Sequence, residues 1–245
     1  IQPMADDRLR QLTDHVWVYL PATNPRLLEP AVGIIRTAHE TILVDAGNSP
    51  AHAQQIVAAL GSSGAPPVKR IIYTHHHWDH TFGGETIAAP ETQIIAHTRC
   101  DQRLRIYDHD IRQEAYQAPR RARITPDMIG MTLFLDLAAD PNFVIRFPNV
   151  VFSTPTHELV VDALRIVSEH VGGNHTDDGT VVLVEGVLFM ADAFYAPPPA
   201  AAKPGVGPDF GLIERFLAEN HQFYVDGHTG VFTHDEFSRF YALRK

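Results

Sequence analysis

The stretch Arg70-Ile71-Ile72-Tyr73-Thr74-His75-His76-His77-Trp78-Asp79-His80 decides how this chain is to be read. An apolar, β-rich run leads directly into three histidines and a carboxylate at offsets 0, 2, 4 and 5 from His75. Imidazole nitrogen and carboxylate oxygen together suit zinc and other borderline first-row metals. Side chains two apart on an extended backbone share a face, so His75 and His77 can grip one ion. Asp79 and His80 must then turn toward a second position. His76, between two ligands, faces the other way and is expected to serve structure, and Trp78 is expected to pack. Phe82-Gly83-Gly84 closes the segment.

Outward from this cluster, short apolar runs bounded by Pro, Gly and Asn read as strands at Val16–Leu20, Val32–Arg36, Thr41–Val44, Ile71–Thr74 and Gln93–Ala96. Further strands are expected at Val150–Phe152, Glu158–Val161, Leu164–His170, Thr180–Glu185, Val187–Ala191 and Phe223–Val225, with a tight turn at Glu185-Gly186. Helical spacing covers 51–60, where Gly61 is read as the stop, and then about Thr98 to Gln117, 209–219 and 233–243. Each half runs strands then helix, so a two-layered pseudo-duplicate is conceivable, although no internal repeat is visible.

With 245 residues, 44% of them apolar, the chain can bury a sizeable core. The expectation is one domain over 1–245 with a helical or lid insertion at about 98–148. Lys+Arg 20 against Asp+Glu 29 gives a net charge of −9, which disfavours a nucleic-acid partner. The single cysteine, Cys100, excludes an internal disulfide and a Cys-based zinc finger, and reads as a small buried apolar residue. No apolar run reaches the roughly 18 residues of a membrane span. The opening Ile1-Gln2-Pro3-Met4-Ala5-Asp6-Asp7 has neither a basic segment nor an apolar stretch like a signal peptide. Met4 fits a natural start and the expected compartment is the cytoplasm; a mature chain with its signal already cleaved is the alternative.

Three more ligand candidates fall at strand ends, where α/β folds commonly carry their chemistry. His175 lies in Gly172-Gly173-Asn174-His175-Thr176-Asp177, Asp192 follows Val187-Leu188-Phe189-Met190-Ala191, and His228 lies in Asp226-Gly227-His228-Thr229-Gly230. Singly, each could be a turn or capping residue; the ordered set with His75–His80 is hard to explain as packing.

In this pattern the chain resembles the metallo-β-lactamase-fold hydrolases. The family's His-x-His-x-Asp-His motif matches His75, His77, Asp79 and His80; its third histidine matches His175, its bridging aspartate Asp192, and its last histidine His228. Leu43-Val44-Asp45-Ala46-Gly47 fits the family's strand-ending Asp-x-Gly turn, so the likeness runs from about residue 43 to 230. It implies an α/β four-layer αββα sandwich with two divalent metal ions at one edge, zinc first, iron or manganese as alternatives. His75, His77 and His175 would hold the first ion, Asp79, His80 and His228 the second, and Asp192 would bridge. Asp45 would steady these loops without touching metal. A bridging water, its pKa lowered from 15.7 to about 7, would be the nucleophile, with Asp79 both ligating and aiming it.

Tyr195, three residues after Asp192, matches a tyrosine of the family's lactonase branch that hydrogen-bonds substrate. An aromatic packed beneath the Pro-rich loop 196–208 is the equal alternative. The arginines at 99, 103, 105, 112, 120, 121 and 123 are interleaved with acids at 101, 108, 110 and 114. They read as a solvated helical face, or else as a lid for an anionic or amphiphilic substrate.

Within the family, Asp192 stands where one β-lactamase subclass has cysteine, and His75 is intact where another has asparagine. A third subclass lacks the bridging aspartate, so a true β-lactamase is not expected and the likeness is to the dinuclear lactonase and glyoxalase II-like branch. Glyoxalase II-like thioesterases share the ligands but extend through a long C-terminal helical region, whereas 17 residues follow His228. The expected activity is hydrolysis of a small-molecule ester or lactone. A thioesterase and an iron-dependent oxidoreductase using the same ligand cage are the alternatives.

Overall fold

The computed structural model describes residues 7–244; Met4 and its neighbours at 1–6 lie outside them. Two mixed sheets stack face to face. The first contains β1 (Leu9–Gln11), β2 (Val16–Tyr19), β3 (Val32–Arg36), β4 (Thr41–Val44), β5 (Val68–Ile72), β6 (Gln93–His97) and β7 (Val150–Phe152), in that spatial order. The second contains β8 (Thr156–Val161), β9 (Leu164–His170), β10 (Thr180–Val184), β11 (Val187–Ala191), β12 (Phe223–Asp226) and β13 (Val231–Thr233), ordered β13-β12-β11-β10-β9-β8.

Alternation of side chains along the strands divides the apolar residues among three layers. Ile34, Leu43, Ile71 and Ile94 pack outward against helices α1 (Pro50–Ser62), α4 (Thr98–Ile111) and α6 (Ile129–Ala139). Their neighbours Ile35, Ile42, Ile72 and Ile95 point inward and meet Val182, Val184, Phe189 and Val225 of the second sheet. Val181, Leu188 and Tyr224 face the far side, under α7 (Phe210–Ala218) and α8 (His234–Ala242). Helix, sheet, sheet and helix therefore stack in four layers, and strands buried on both faces read as continuous apolar runs.

Strand polarity explains why the histidine-bearing loops meet. β4 and β5 run parallel, as do β11 and β12. Their carboxyl ends open onto one edge of the sandwich, a position that suits binding sites in parallel sheets.

Several expected boundaries move. Helix α1 runs through Gly61 to Ser62, since one glycine costs only about 1 kcal/mol relative to alanine. Gly64, in the left-handed region at φ +67°, follows its end. The strand expected at Ile71–Thr74 occupies Val68–Ile72, because Thr74 leaves the ladder to bond Asp45. The helical stretch from Thr98 divides into α4 and α5 (Glu114–Arg121) around Arg112 and Gln113. Strands β1 and β13 and helix α6 are additions to the expected elements. Glu185-Gly186 turns with both residues at positive φ, as expected, pairing Val184 with Val187.

Gly33 sets the spacing between the sheets at the site end. A Cβ there would lie 2.6 Å from the ring of Phe189 in the opposite sheet. Gly33→Val is expected to destabilise the protein by about 1–3 kcal/mol through overpacking, read from urea denaturation. An unchanged unfolding midpoint would show that the two sheets are free to part.

Candidate metal centre

Asp45 begins the construction of the site. It stands in the left-handed region at φ +67°, a conformation that a short polar side chain tolerates. Its Oδ1 accepts the Thr74 N–H at 2.8 Å, and Oδ2 accepts the Thr74 hydroxyl at 2.9 Å. The same Oδ2 lies 2.7 Å from Nδ1 of His80. This carboxylate therefore holds both ends of the histidine segment, the supporting role read for it in the sequence. The segment itself leaves β5, bends through His75 and His76, and enters the one-turn helix α2 (Trp78–Thr81), with His77 as its extended N-cap, before a second short helix, α3 (Gly84–Ile87). The helical turn swings Asp79 and His80 away from His75 and His77.

His76 points the other way, as its position implies. Its backbone N–H donates to Asp178 Oδ2 at 2.9 Å, and its Nδ1 lies 3.1 Å from Asp178 Oδ1. Trp78 is buried against Phe82 and Phe134. His175 is carried by a loop that starts with Gly172 and Gly173, both at positive φ. A Cβ on Gly173 would lie 2.3 Å from the Ala193 carbonyl. From there His175 sets Nδ1 at 2.9 Å from the Ala196 carbonyl.

Two groups of atoms that could ligate a metal result: His75, His77 and His175 in one, and Asp79, His80, Asp192 and His228 in the other. In the first, His77 Nδ1 is 3.1 Å from His75 Nε2 and 2.9 Å from His175 Nε2. In the second, His228 Nε2 lies 3.2 Å from Asp79 Oδ2, and His80 Nε2 lies 3.7 Å from the same oxygen. Asp192 Oδ2 falls between the groups, 3.4 Å from His175 Nε2 and 3.3 Å from His228 Nε2. A tetrahedral ion with bonds of about 2.0–2.1 Å separates its ligand atoms by roughly 3.3 Å, and both groups scatter around that spacing. His80 Nε2 and Asp192 Oδ1 are buried 3.5 Å apart and, among the described residues, neither has a hydrogen-bond partner of good geometry, which in a native interior calls for an explanation. Both clusters could bind metal ions.

Electrostatics separates the groups. Burial first, then neighbouring imidazoles, pushes His75 well below its ordinary pKa and His77 down to about 3. Both therefore keep neutral ligand rings at physiological pH. At His80 and His228 burial acts in the same direction, but carboxylates outweigh it. Asp192, Asp45 and Asp79 raise His80 well above its usual range, and Asp192 and Asp79 bring His228 up to about 10. The second group thus demands positive charge, which protons or a cation can supply.

An aromatic cluster lies behind His76, on the side away from the ligand atoms, and a small recess lies beside His228. His76 meets Tyr107 edge-on at 5.4 Å, and Tyr107 neighbours Tyr116, over whose ring Arg120 sits at 3.5 Å. Most arginines of this helical segment are neutralised: Arg99 and Arg103 by Asp177, Arg105 by Asp101, Arg112 by Asp108 and Arg121 by Asp136. Beside His228, a pocket of about 110 Å³ is lined by Ala22, Asn24, Pro25, Leu28 and Glu29. Tyr195 is half-buried with its ring stacked on His228, centroids 6.1 Å apart, and edge-on to His175 at 6.2 Å. Burial, then the Asp226 and Asp192 carboxylates, raises its phenol well above the ordinary value. Cys100 is buried in the helix-facing core, where burial raises its thiol.

A family model described as the metallo-beta-lactamase superfamily matches residues 26–235. The chain belongs to this superfamily. Its members are mostly metal-dependent hydrolases. Among solved structures, the stereoselective inverting sec-alkylsulfatase Pisa1 from Pseudomonas sp. superposes with TM-score 0.72 at 15% identity, covering 96% of this chain and 40% of that one. The DIM-1 metallo-beta-lactamase gives 0.65 at 15% identity, covering 96% and 95%, and a metallo-beta-lactamase from Pontibacter korlensis gives 0.59 at 15%, covering 96% and 97%. The chain spans less than half the length of the sulfatase. At such identities these likenesses establish the fold. No curated protein sequence matches the chain.

No motif in the sequence marks Asp178 or His52. Asp178 is one of two adjacent acids just after His175, a weak sign of its hold on His76. His52 on α1 is buried beneath the Asp45–Gly47 turn, with Nδ1 accepting the Asn48 N–H at 3.3 Å. Burial, reinforced by the charges of Arg8 and His80, holds its pKa at about 3. An unfolded histidine titrates near 6.5, so between pH 6.5 and 3 the unfolded chain binds the additional proton. The His52 contribution is complete above about pH 6.5 and is lost as the pH falls toward 3. His52→Gln is expected to flatten the acid limb of the stability–pH curve by up to about 1.4 kcal/mol per pH unit. An unaltered limb in denaturation series would contradict this.

Proposed function

We propose that this protein is a dinuclear metal-dependent hydrolase of a small-molecule ester or lactone. The observation that carries this reading is the position of Asp192 Oδ2 between His175 and His228, the arrangement a bridging ligand needs. His75, His77 and His175 would hold one ion, Asp79, His80 and His228 the other, and Asp192 both; zinc fits the His/Asp donor set best. Ions held there would supply water of lowered pKa and polarise a carbonyl oxygen.

The chain's own residues supply the rest. Burial opposes ionisation of Asp79, but His80 and His228 outweigh it and keep the carboxylate pKa low. It can therefore accept a hydrogen bond from the attacking water and hold its lone pair on line. The raised pKa of Tyr195 keeps the phenol protonated at neutral pH, as a donor to a carbonyl or leaving oxygen must be. The recess of about 110 Å³ beside His228 can seat a short group.

Asp192→Asn is expected to reduce bound metal, measured by elemental analysis, and to abolish ester hydrolysis; two retained ions with full activity would refute the bridging role. Tyr195→Phe should lower turnover roughly 10²–10³-fold at unchanged metal content if the phenol donates in the transition state. An unaffected rate would leave the ring a packing element. A panel of lactones, esters, thioesters, β-lactams, phosphodiesters and sulfate esters identifies the substrate class. Preference for anything but an ester or lactone would overturn that part of the proposal.

A further inference from the structure

Asp226, the last residue of β12, is fully buried. Its Oδ1 accepts three successive backbone N–H groups, from His228 at 2.9 Å, Thr229 at 2.5 Å and Gly230 at 3.3 Å. The Gly230 carbonyl accepts the Asp226 N–H at 3.0 Å in return. One carboxylate oxygen thus closes the whole turn that carries His228. Gly227 pins the turn from the other side. Its N–H donates to the Ala191 carbonyl at 3.0 Å, and its own carbonyl accepts the Ala31 N–H at 2.7 Å. A Cβ on Gly227 would lie 2.1 Å from Asp192 Oδ1, so the main chain passes against the carboxylate that separates the two ligand groups.

Among the described residues, Asp226 Oδ2 has no hydrogen-bond partner of good geometry, and the Tyr195 phenol is the side-chain donor that interacts with this carboxylate. Burying a carboxylate costs free energy unless its lone pairs are satisfied. Of all charged groups, Asp226 acts most strongly on the Tyr195 phenol, whose ring stacks on His228. The carboxylate therefore serves the turn that carries His228, a member of the second group, and lies near the Tyr195 phenol that stacks on it.

We propose that Asp226, which ligates no metal itself, is a positioning residue for the second ion: Oδ1 fixes the His228 turn so that His228 Nε2 reaches Asp79 Oδ2 and Asp192 Oδ2. This rests on the dinuclear reading above. Supporting residues behind a metal ligand typically contribute 10–100-fold in affinity, and geometry rather than charge is the contribution here. An amide oxygen in the place of Oδ1 can accept the same three N–H bonds.

The test uses zinc uptake by chelator competition together with amide hydrogen exchange on the metal-free chain. Asp226→Ala should weaken the second zinc roughly 10–100-fold while sparing the first, and should speed exchange at 228–230. Asp226→Asn should restore both toward wild type, while His228→Ala should lose the second zinc outright. Should Asp226→Ala not fold, Asp226→Ser, with its shorter acceptor, must show the same faster exchange. The proposal is overturned if the alanine or serine chain exchanges and binds like wild type, or if Asp226→Asn fails as Asp226→Ala does, since charge would then be the cause. Wild-type protein that takes up fewer than two zinc ions sinks the dinuclear reading. Exchange at 228–230 still decides the role of Asp226.

Discussion

The candidate centre depends on three buried carboxylates lying outside the two ligand groups, Asp45, Asp178 and Asp226. Each captures backbone N–H groups of a ligand-bearing loop. Asp45 takes Thr74, Asp178 takes His76, and Asp226 takes His228 and the two residues after it. Loops at the edge of a sheet have no ladder to fix them, and a ligand atom displaced by an ångström no longer meets an ion. Hydrogen bonds to a charged acceptor are about twice as strong as neutral ones. Three such anchors turn flexible connections into a fixed constellation.

The remaining architecture supplies those anchors with a floor. Parallel pairing of β4 with β5, and of β11 with β12, brings the chain to the same edge four times. Gly33 opposite Phe189 and Gly227 against Asp192 let main chain approach where any side chain would intrude. Electrostatics leaves the two groups of side chains suited to cations. Neutral His75 and His77 stand ready as ligands, while Asp45, Asp79 and Asp192 surround His80 with negative charge.

Much of this was legible in the chain because it rests on local pattern. Doubly apolar runs such as Val187–Ala191 and Val32–Arg36 marked central strands, and His75–His80 with His175, Asp192 and His228 marked the residues that the fold brings together. The elements that escaped lack a local signature. Helix α6, Ile-Gly-Met-Thr-Leu-Phe-Leu-Asp-Leu-Ala-Ala, is apolar almost all round and shows little helical periodicity. β1 and β13 are three residues each and owe their existence to partner strands. The β8–β9 turn places Asp162 and Ala163 at positive φ without any glycine to announce it. Asp226 was visible in principle: Tyr-Val-Asp-Gly echoes the strand-ending aspartate of Leu-Val-Asp-Ala-Gly at Asp45. Its grip on three amides depends on how the turn closes in space, which spacing alone does not state.

The central claim is that two ions share one carboxylate. Anomalous X-ray scattering at the zinc edge, from crystals of zinc-loaded protein, addresses it without reference to any substrate. The account expects two peaks roughly 3.5–4 Å apart, one among His75, His77 and His175, the other among Asp79, His80 and His228, with Asp192 between them. A single peak, or two peaks that leave Asp192 unshared, would contradict it.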